Sequence, residues 1–317
     1  MTHTAPANTT RAEQLLLYAL IASLPFTDFL QIGLVAFNAA PVMGELGASP
    51  EEYSGVATLY AVVAIGTIAM HRWLLERLGW RTLVQSSAAL LALGAVVCGT
   101  AQRLPQFAMG RVLMALGCAA FLTVGRLLVN HIPPSPRRFT GIRFFASGLA
   151  WGGVAGPLLA ASALAHANWR AGFFVLPVVA GLIALLASLA PIARPMHAAE
   201  HHSRYQPGSL LPLIGGSFLL LYALQRASFD YFSHATDLLV MALLALPALG
   251  LFAGLLARQR QPVLAARPLL TTRYLLGLAI FCVCYVVLGA NNSMLPVLMQ
   301  RALGLPLEVV GRYLGLG

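Results

Sequence analysis

The stretch Gly148-Leu-Ala-Trp-Gly-Gly-Val-Ala-Gly-Pro-Leu-Leu-Ala-Ala-Ser162 sets four glycines and a proline inside an otherwise apolar run. In a water-exposed helix each glycine costs about 1 kcal/mol relative to alanine, and a proline about 3 kcal/mol. Lipid changes that balance. There, apolar burial gives helices no reason to associate, so close van der Waals packing must hold them together. Gly148, Gly152 and Gly156 recur at every fourth residue and share one helix face. Pro157 removes a backbone hydrogen bond and bends the chain, which membrane helices tolerate where neighbours satisfy the freed carbonyl. The stretch predicts a kinked membrane helix pressed against a neighbour along a stripe that lacks side chains.

The rest of the chain supports a membrane setting. Of 317 residues, 59% are hydrophobic and 9% charged, against about 25% charged in an ordinary globular domain. So little charge cannot cover a water-facing surface, and the chain reads as an integral membrane protein. Crossing a hydrocarbon core of about 30 Å takes roughly 20 helical residues. Apolar runs of that order lie at 14–40, 54–75, 83–102, 107–130, 141–165, 171–193, 209–228, 237–257 and 274–299. The expected fold class is all-α, a polytopic membrane helix bundle. A tenth run begins near Leu307 and is expected to be cut short at Gly317. Met1 to Arg11 is polar and the first run is long and lacks a small-residue cleavage site, so no cleavable leader is expected.

All twenty basic residues are arginine, and the formal net charge is +10. The arginines cluster between apolar runs and form no patch interleaved with exposed aromatics, which argues against nucleic acid as a partner. If the N-terminus is cytoplasmic, the inside segments hold Arg11, Arg72, Arg77, Arg81, Arg137, Arg138, Arg143, Arg194, Arg204, Arg258, Arg260, Arg267 and Arg273. The outside segments hold Arg103, Arg170, Arg226 and Arg301, with Glu45, Glu51 and Glu52. That bias predicts an N-in topology. Cys98, Cys118, Cys282 and Cys284 fall within spans and read as small buried apolar residues.

Ionisable groups in hydrocarbon are costly and carry a functional hypothesis by default. Asp28, in Pro25-Phe-Thr-Asp28-Phe-Leu-Gln31, is a carboxylate well inside the first run, and Arg111 opens the fourth. How tightly a buried carboxylate holds its proton depends on desolvation and on nearby cations, the tuning a proton carrier needs. Asp28 and Arg111 are therefore the proton-coupling candidates. Gln31, Asn38, Tyr60, Asn291 and Asn292 are candidate polar groups of a substrate cavity. His197, Glu200, His201 and His202 lie within six residues of one another but match no tight tetrahedral set, so no metal is expected. No cofactor is expected either: the chain has no lysine and hence no phosphate-binding glycine loop ending in Lys-Ser or Lys-Thr. Ser-x-x-Lys, His-Glu-x-x-His and Gly-x-Ser-x-Gly motifs are likewise missing. The histidines His131, His166 and His234 fall on opposite sides of the expected topology, which weighs against an embedded enzyme.

The segment His71-Arg-Trp-Leu-Leu-Glu76-Arg77-Leu-Gly79-Trp-Arg81 resembles the inner-gate loop of the major facilitator superfamily, Gly-x-Leu-Ala-Asp-Arg-x-Gly-Arg-Arg. It keeps Leu74, Arg77, Gly79 and Arg81, replaces the acidic residue by Glu76, and has Arg72 in place of the first glycine. Gly148, Gly152, Gly156 and Pro157 are similar to the glycine-proline element of antiporters in this superfamily, with Ala160 and Ala161 for its last glycines. Arg111-x-x-Met-Ala-x-Gly117 is similar to the family's Arg-x-x-Gln-Gly-x-Gly. The runs around Leu221 to Ser228 and the Gln261-Pro to Arg267-Pro linker resemble the added central helices of the fourteen-helix drug:proton antiporter branch. One departure stands out: alignment on Pro41 puts Ile32 where that branch has its first-span aspartate, with Asp28 one turn earlier.

The resemblance implies three parts: a six-helix bundle over 1–193, a linker with two extra helices over 194–267, and the start of a second bundle over 268–317. It also implies proton-coupled efflux of amphipathic organic compounds or drugs by alternating access, from a site in the inner membrane. The expected partners are the lipid bilayer, a small-molecule substrate and protons, with a periplasmic adaptor and an outer-membrane channel implied by resemblance alone. A metabolite or siderophore facilitator and a non-transporting scaffold remain alternatives. A chain holding only part of the second bundle is not expected to transport by itself.

Overall fold

The computed structural model describes residues 10–190, 208, 210–230, 233–258, 271–306, 309–311 and 313. Its regular elements among these are helices. The first, α1 (Arg11–Phe37), starts at a reciprocal cap in which Thr10 accepts from the Glu13 backbone and the Glu13 carboxylate accepts from that of Thr10. The run expected over 14–40 breaks at Asn38. There the short α2 (Ala39–Leu46) begins, and it ends at Gly47 with φ 63°. A second cap of the same kind, Ser49 with Glu52, opens α3 (Pro50–Gly99).

Two expected runs and the basic segment between them form α3, which turns at Gly79, where φ is 75° and ψ 159°. Only glycine adopts that conformation without strain. The helix therefore acts as two limbs, 50–78 and 80–99. After α3 come α4 (Leu104–His131), α5 (Pro136–His166), α6 (Trp169–Leu189), α7 (Leu211–Asp230), α8 (Ala235–Arg258) and α9 (Thr272–Arg301). Six helices among the described residues, α1, α3, α4, α5, α6 and α8, are long and apolar enough to cross a membrane. Within α9 the apolar part is the shorter Thr272–Val287. The 191–207 and 259–270 segments, including the histidine-rich stretch, lie outside the described residues.

Glycine decides how the helices pair. α1 packs chiefly against α5, α3 against α4 and α6, and α7 against α8 and α3. A Cβ on Gly148 would stand 2.2 Å from the Ala22 carbonyl oxygen, and one on Gly152 2.3 Å from that of Phe26. On Gly156 it would meet Gly33 Cα at 2.8 Å. Gly153, on another face, has nothing within 4 Å. The α3–α4 seam uses the same device at Gly94, Gly110 and Gly117, where an added Cβ would reach backbone atoms at 2.6–2.8 Å or closer. Large side chains fill the remaining core, among them Phe107, Phe121, Phe173, Leu91 and Leu176.

The two ends of the bundle are stitched separately. At one, Arg81 beyond the Gly79 turn donates to the Ala187 and Ala190 carbonyls at 3.0 and 2.8 Å, capping α6 with a cation. At that end Tyr18 also donates to Arg137 O, and Arg138 to Asn130 Oδ1. At the other, Arg170 donates to the carbonyls of Gly99 and Ala101 and to the Glu45 carboxylate, joining α6 to α2 and the end of α3.

Candidate functional site

Asp28 lies on α1 three residues after Pro25 and is 7% exposed, neither facing lipid nor open to bulk water. Its neighbour on the next turn, Gln31, is fully buried. The amide of Gln31 is the hub: its Nε2 donates to the Tyr60 hydroxyl of α3 at 2.6 Å and to Asp28 Oδ1 at 3.4 Å. Its Oε1 accepts from Arg111 Nη1 of α4 at 2.8 Å. The Arg111 guanidinium lies over the Tyr60 ring, 4.1 Å from the centroid, and Nη1 also approaches Met114 Sδ at 3.9 Å. Among the described residues no ion pair joins Asp28 to Arg111 directly. A neutral amide thus stands between the carboxylate and the cation, and three helices meet at one polar cluster in an apolar core.

That arrangement has chemical consequences. Gln31 cannot titrate, but it offers a donor to Asp28 while its acceptor is held by Arg111. The hydrogen bonds of Gln31 therefore connect Asp28 to both α3 and α4. Ile32, where the aspartate of the similar branch would align, is 45% exposed and takes no part. Asp28 and Ile32 are one turn apart, yet the carboxylate turns into the bundle.

The other sequence candidates fall elsewhere. Asn38 is fully buried at the α1–α2 break, with neither Oδ1 nor Nδ2 bonded among the described residues. It is not part of the Gln31 cluster. Asn291 and Asn292 lie on α9, and their side chains lie outside the described residues. Glu76 pairs with Arg72 at 2.9 Å, Arg77 stacks on Trp73 at 5.2 Å, Gly79 makes the turn and Arg81 caps α6. Cys98 and Cys118 are buried, but Cys282 and Cys284 are exposed, contrary to the expectation of burial, because α9 makes no extensive helix contact among the described residues. No group of His, Cys, Asp and Glu able to hold a metal occurs among the described residues.

Sequence reasoning missed several polar groups. Glu45 receives hydrogen bonds from Trp169 Nε1 and from Arg170 Nη2, the latter at 2.7 Å. The Arg170 hydrogen bond, partly opposed by desolvation, holds the Glu45 carboxyl below the ordinary glutamate range. His71 meets Thr123 Oγ1 at 3.0 Å across α3 and α4. Arg126 is a second arginine inside the fourth apolar run, and its position alone was the signal that could have found it.

Residues 21–317 match the family model described as Major Facilitator Superfamily. The chain is 27% identical over 303 residues to "Putative multidrug resistance protein MdtD" of Escherichia fergusonii, covering 90% of this chain and 62% of that protein. The protein of the same name from Shigella sonnei gives the same identity and coverage. The chain thus spans less than two thirds of the length of these relatives. Among solved structures, the peptide transporter POT in complex with sulfate superposes with a TM-score of 0.60 at 15% identity, covering 90% of this chain and 61% of that one. That likeness concerns the fold. With the helix bundle, its glycine seams and the family match over nearly all its length, this chain belongs to the Major Facilitator Superfamily.

Proposed function

We propose that the protein is a secondary transporter that moves amphipathic organic compounds out of the cell in exchange for entering protons, by alternating access. The observation that carries this reading is the buried Asp28–Gln31–Arg111–Tyr60 cluster. A titratable carboxylate sealed in an apolar bundle, linked through one amide to the helices that must shift, is the part a proton-driven exchanger requires. Proton binding biases one of two states only if the two hold Asp28 differently, and the Gln31 link supplies that difference. The multidrug resistance proteins at 27% identity support the substrate class. In this reading Glu76, Arg77, Gly79 and Arg81 form the inner-gate loop. The N-terminus is cytoplasmic, the membrane is the inner one, and an adaptor with an outer channel are partners in export.

The test uses the protein expressed over the full length of its gene, reconstituted in vesicles with an imposed proton gradient. Asp28→Asn should abolish gradient-driven movement of tetraphenylphosphonium or an ethidium-type dye while leaving downhill exchange measurable. If Asp28→Asn still concentrates the probe against its gradient as the unsubstituted protein does, Asp28 is not the coupling group.

A further inference from the structure

α7 and α8 stand between the two expected bundles in the sequence, yet in space they are fastened to one of them. Two contacts hold α7 to the first limb of α3. Near the start of that limb, the Arg226 guanidinium of α7 pairs with the Glu51 carboxylate, and its Nε donates to Asp230 of its own helix at 2.9 Å. The same guanidinium lies 5.7 Å from the Tyr222 ring centroid. Further along, Gly66 is buried, and a Cβ there would meet Ile214 Cγ1 and Cδ1 of α7 at 3.5 Å. From Glu51 to Gly66 the helix rises about 22 Å. A single contact lets a helix pivot, whereas two contacts that far apart fix its direction as well as its position.

α8 is carried by α7. A Cβ on Gly216 would stand 2.9 Å from Leu249 Cγ and 3.2 Å from Ala248 Cβ, so these two helices also approach each other at a glycine. Ala223 and Ala245 are buried. Among the described residues α9 has no comparable contact with either α7 or α8. The flank of α3 that α7 covers is not the one that bears the polar cluster. Glu51 and Gly66 lie about 60° apart around the helix axis, whereas Tyr60 lies about 180° from the first and about 120° from the second. Tyr60 takes the hydrogen bond from Gln31 and has Arg111 over its ring. The limb is therefore held from the front by the cluster and from behind by α7.

We propose that α7 and α8 are part of the first moving body of the transporter, a brace on the limb that bears Tyr60, so that the boundary between the two rocking bodies falls after Arg258 and not after Leu189. The division expected over 194–267, which gave these helices a part of their own, thus moves to the far side of α8. Bodies that rock rigidly keep the distances within each and change the distances between them. The Arg226 network is partly exposed, so it sets the register of α7 on α3 more than it adds stability. The inference takes from the transport reading only the existence of two moving bodies. The fastening itself rests on the contacts between α7 and α3.

The experiment measures distances between nitroxide labels by double electron–electron resonance in the full-length protein in vesicles, with its native cysteines replaced by alanine. One label pair, Val178→Cys with Leu239→Cys, spans α6 and α8, and another, Val178→Cys with Leu276→Cys, spans α6 and α9. All three side chains are exposed. Each pair is read at mildly acidic and mildly alkaline pH, with and without tetraphenylphosphonium. A rotation of about 15° between two bodies moves a point about 20 Å from the axis by about 5 Å. The α6–α9 distance should shift by that order among the conditions, while the α6–α8 distance keeps one narrow distribution, constant within about 2 Å. Arg226→Gln and Glu51→Gln should each broaden the α6–α8 distribution, and Arg226→Lys should leave it narrow. An α6–α8 distance that shifts along with α6–α9, or that is broad before any change at Arg226 or Glu51, overturns the inference. So does a distribution that neither Arg226→Gln nor Glu51→Gln alters. A narrow α6–α8 distance beside a constant α6–α9 distance upholds the fastening and sinks the transport reading, so the two fail on separate results.

Discussion

At the residue level, the cluster around Gln31 shows how a charged pair can be coupled without touching. Asp28 and Arg111 are both buried, yet the amide between them takes one hydrogen bond from the arginine and gives one to the carboxylate. A direct buried ion pair must recover the desolvation of two charges, whereas this arrangement spreads the cost over a ring, a thioether and an amide. On α2, Glu45 is tied to Arg170 and Trp169 in a more exposed setting. Its carboxyl is held below the ordinary glutamate range, first by the Arg170 hydrogen bond. The folded state therefore prefers the ionised form. The stability this contributes is present above the ordinary glutamate pKa and is lost as the pH falls through the lowered value. Unfolding midpoints of the unsubstituted protein should fall more steeply than those of Glu45→Gln as the pH drops below the ordinary glutamate range, while near neutrality Glu45→Gln should be less stable by under about 1 kcal/mol, since the pair is partly exposed. Parallel melting curves against pH would check both.

At the element level, the pairing of α1 with α5 rests on glycine. An alanine methyl at position 152 would meet the Phe26 carbonyl oxygen at 2.3 Å, a backbone atom that cannot turn aside, so α1 and α5 must separate. Overpacking of this kind costs about 1–3 kcal/mol. Gly153 is the internal control because nothing lies within 4 Å of its would-be methyl. There alanine should be neutral or stabilise by up to about 1 kcal/mol, through helix propensity alone. Thermal unfolding of the two purified variants should therefore move in opposite directions, or at least by clearly different amounts. Asp28, Gln31 and Gly33 all lie on α1, so a shift of that helix from α5 also displaces the cluster.

For the whole molecule, the two stitched ends define sidedness. Tyr18, Arg81 and Arg138 make their cross-helix contacts at one end, and Glu45, Trp169 and Arg170 at the other. In the proposed topology, which rests on the arginine bias of the sequence, the first end is the cytoplasmic one. Cysteines placed at Asn130 and at Gln102, both at helix ends, should label from opposite sides in intact cells: an impermeant maleimide should react at position 102 and spare position 130 until the membrane is opened. Equal labelling at both would reverse or dissolve the proposed topology. The α7–α8 pair packs on α3 through α7. Ile214 of α7 packs at 3.5 Å from a would-be Gly66 methyl, and Arg226 bonds both Glu51 of α3 and Asp230.

Hydropathy and glycine spacing were enough to read a helical membrane bundle, because each is a local or periodic property that lipid imposes along the chain; the family came from the resemblance of short motifs such as the loop at Arg77 to Arg81. The glycine-striped fifth span could be read the same way, as could the individual polar residues of the first and fourth. That Gln31 joins Asp28 to Arg111, that Asn38 stands apart, and that Asp28 turns inward while Ile32 does not, were decided by tertiary structure. Those contacts link residues as many as 80 positions apart. They depend on how closely α1, α3 and α4 approach and how each is rotated, which the backbone contacts at their glycines determine and no linear pattern encodes.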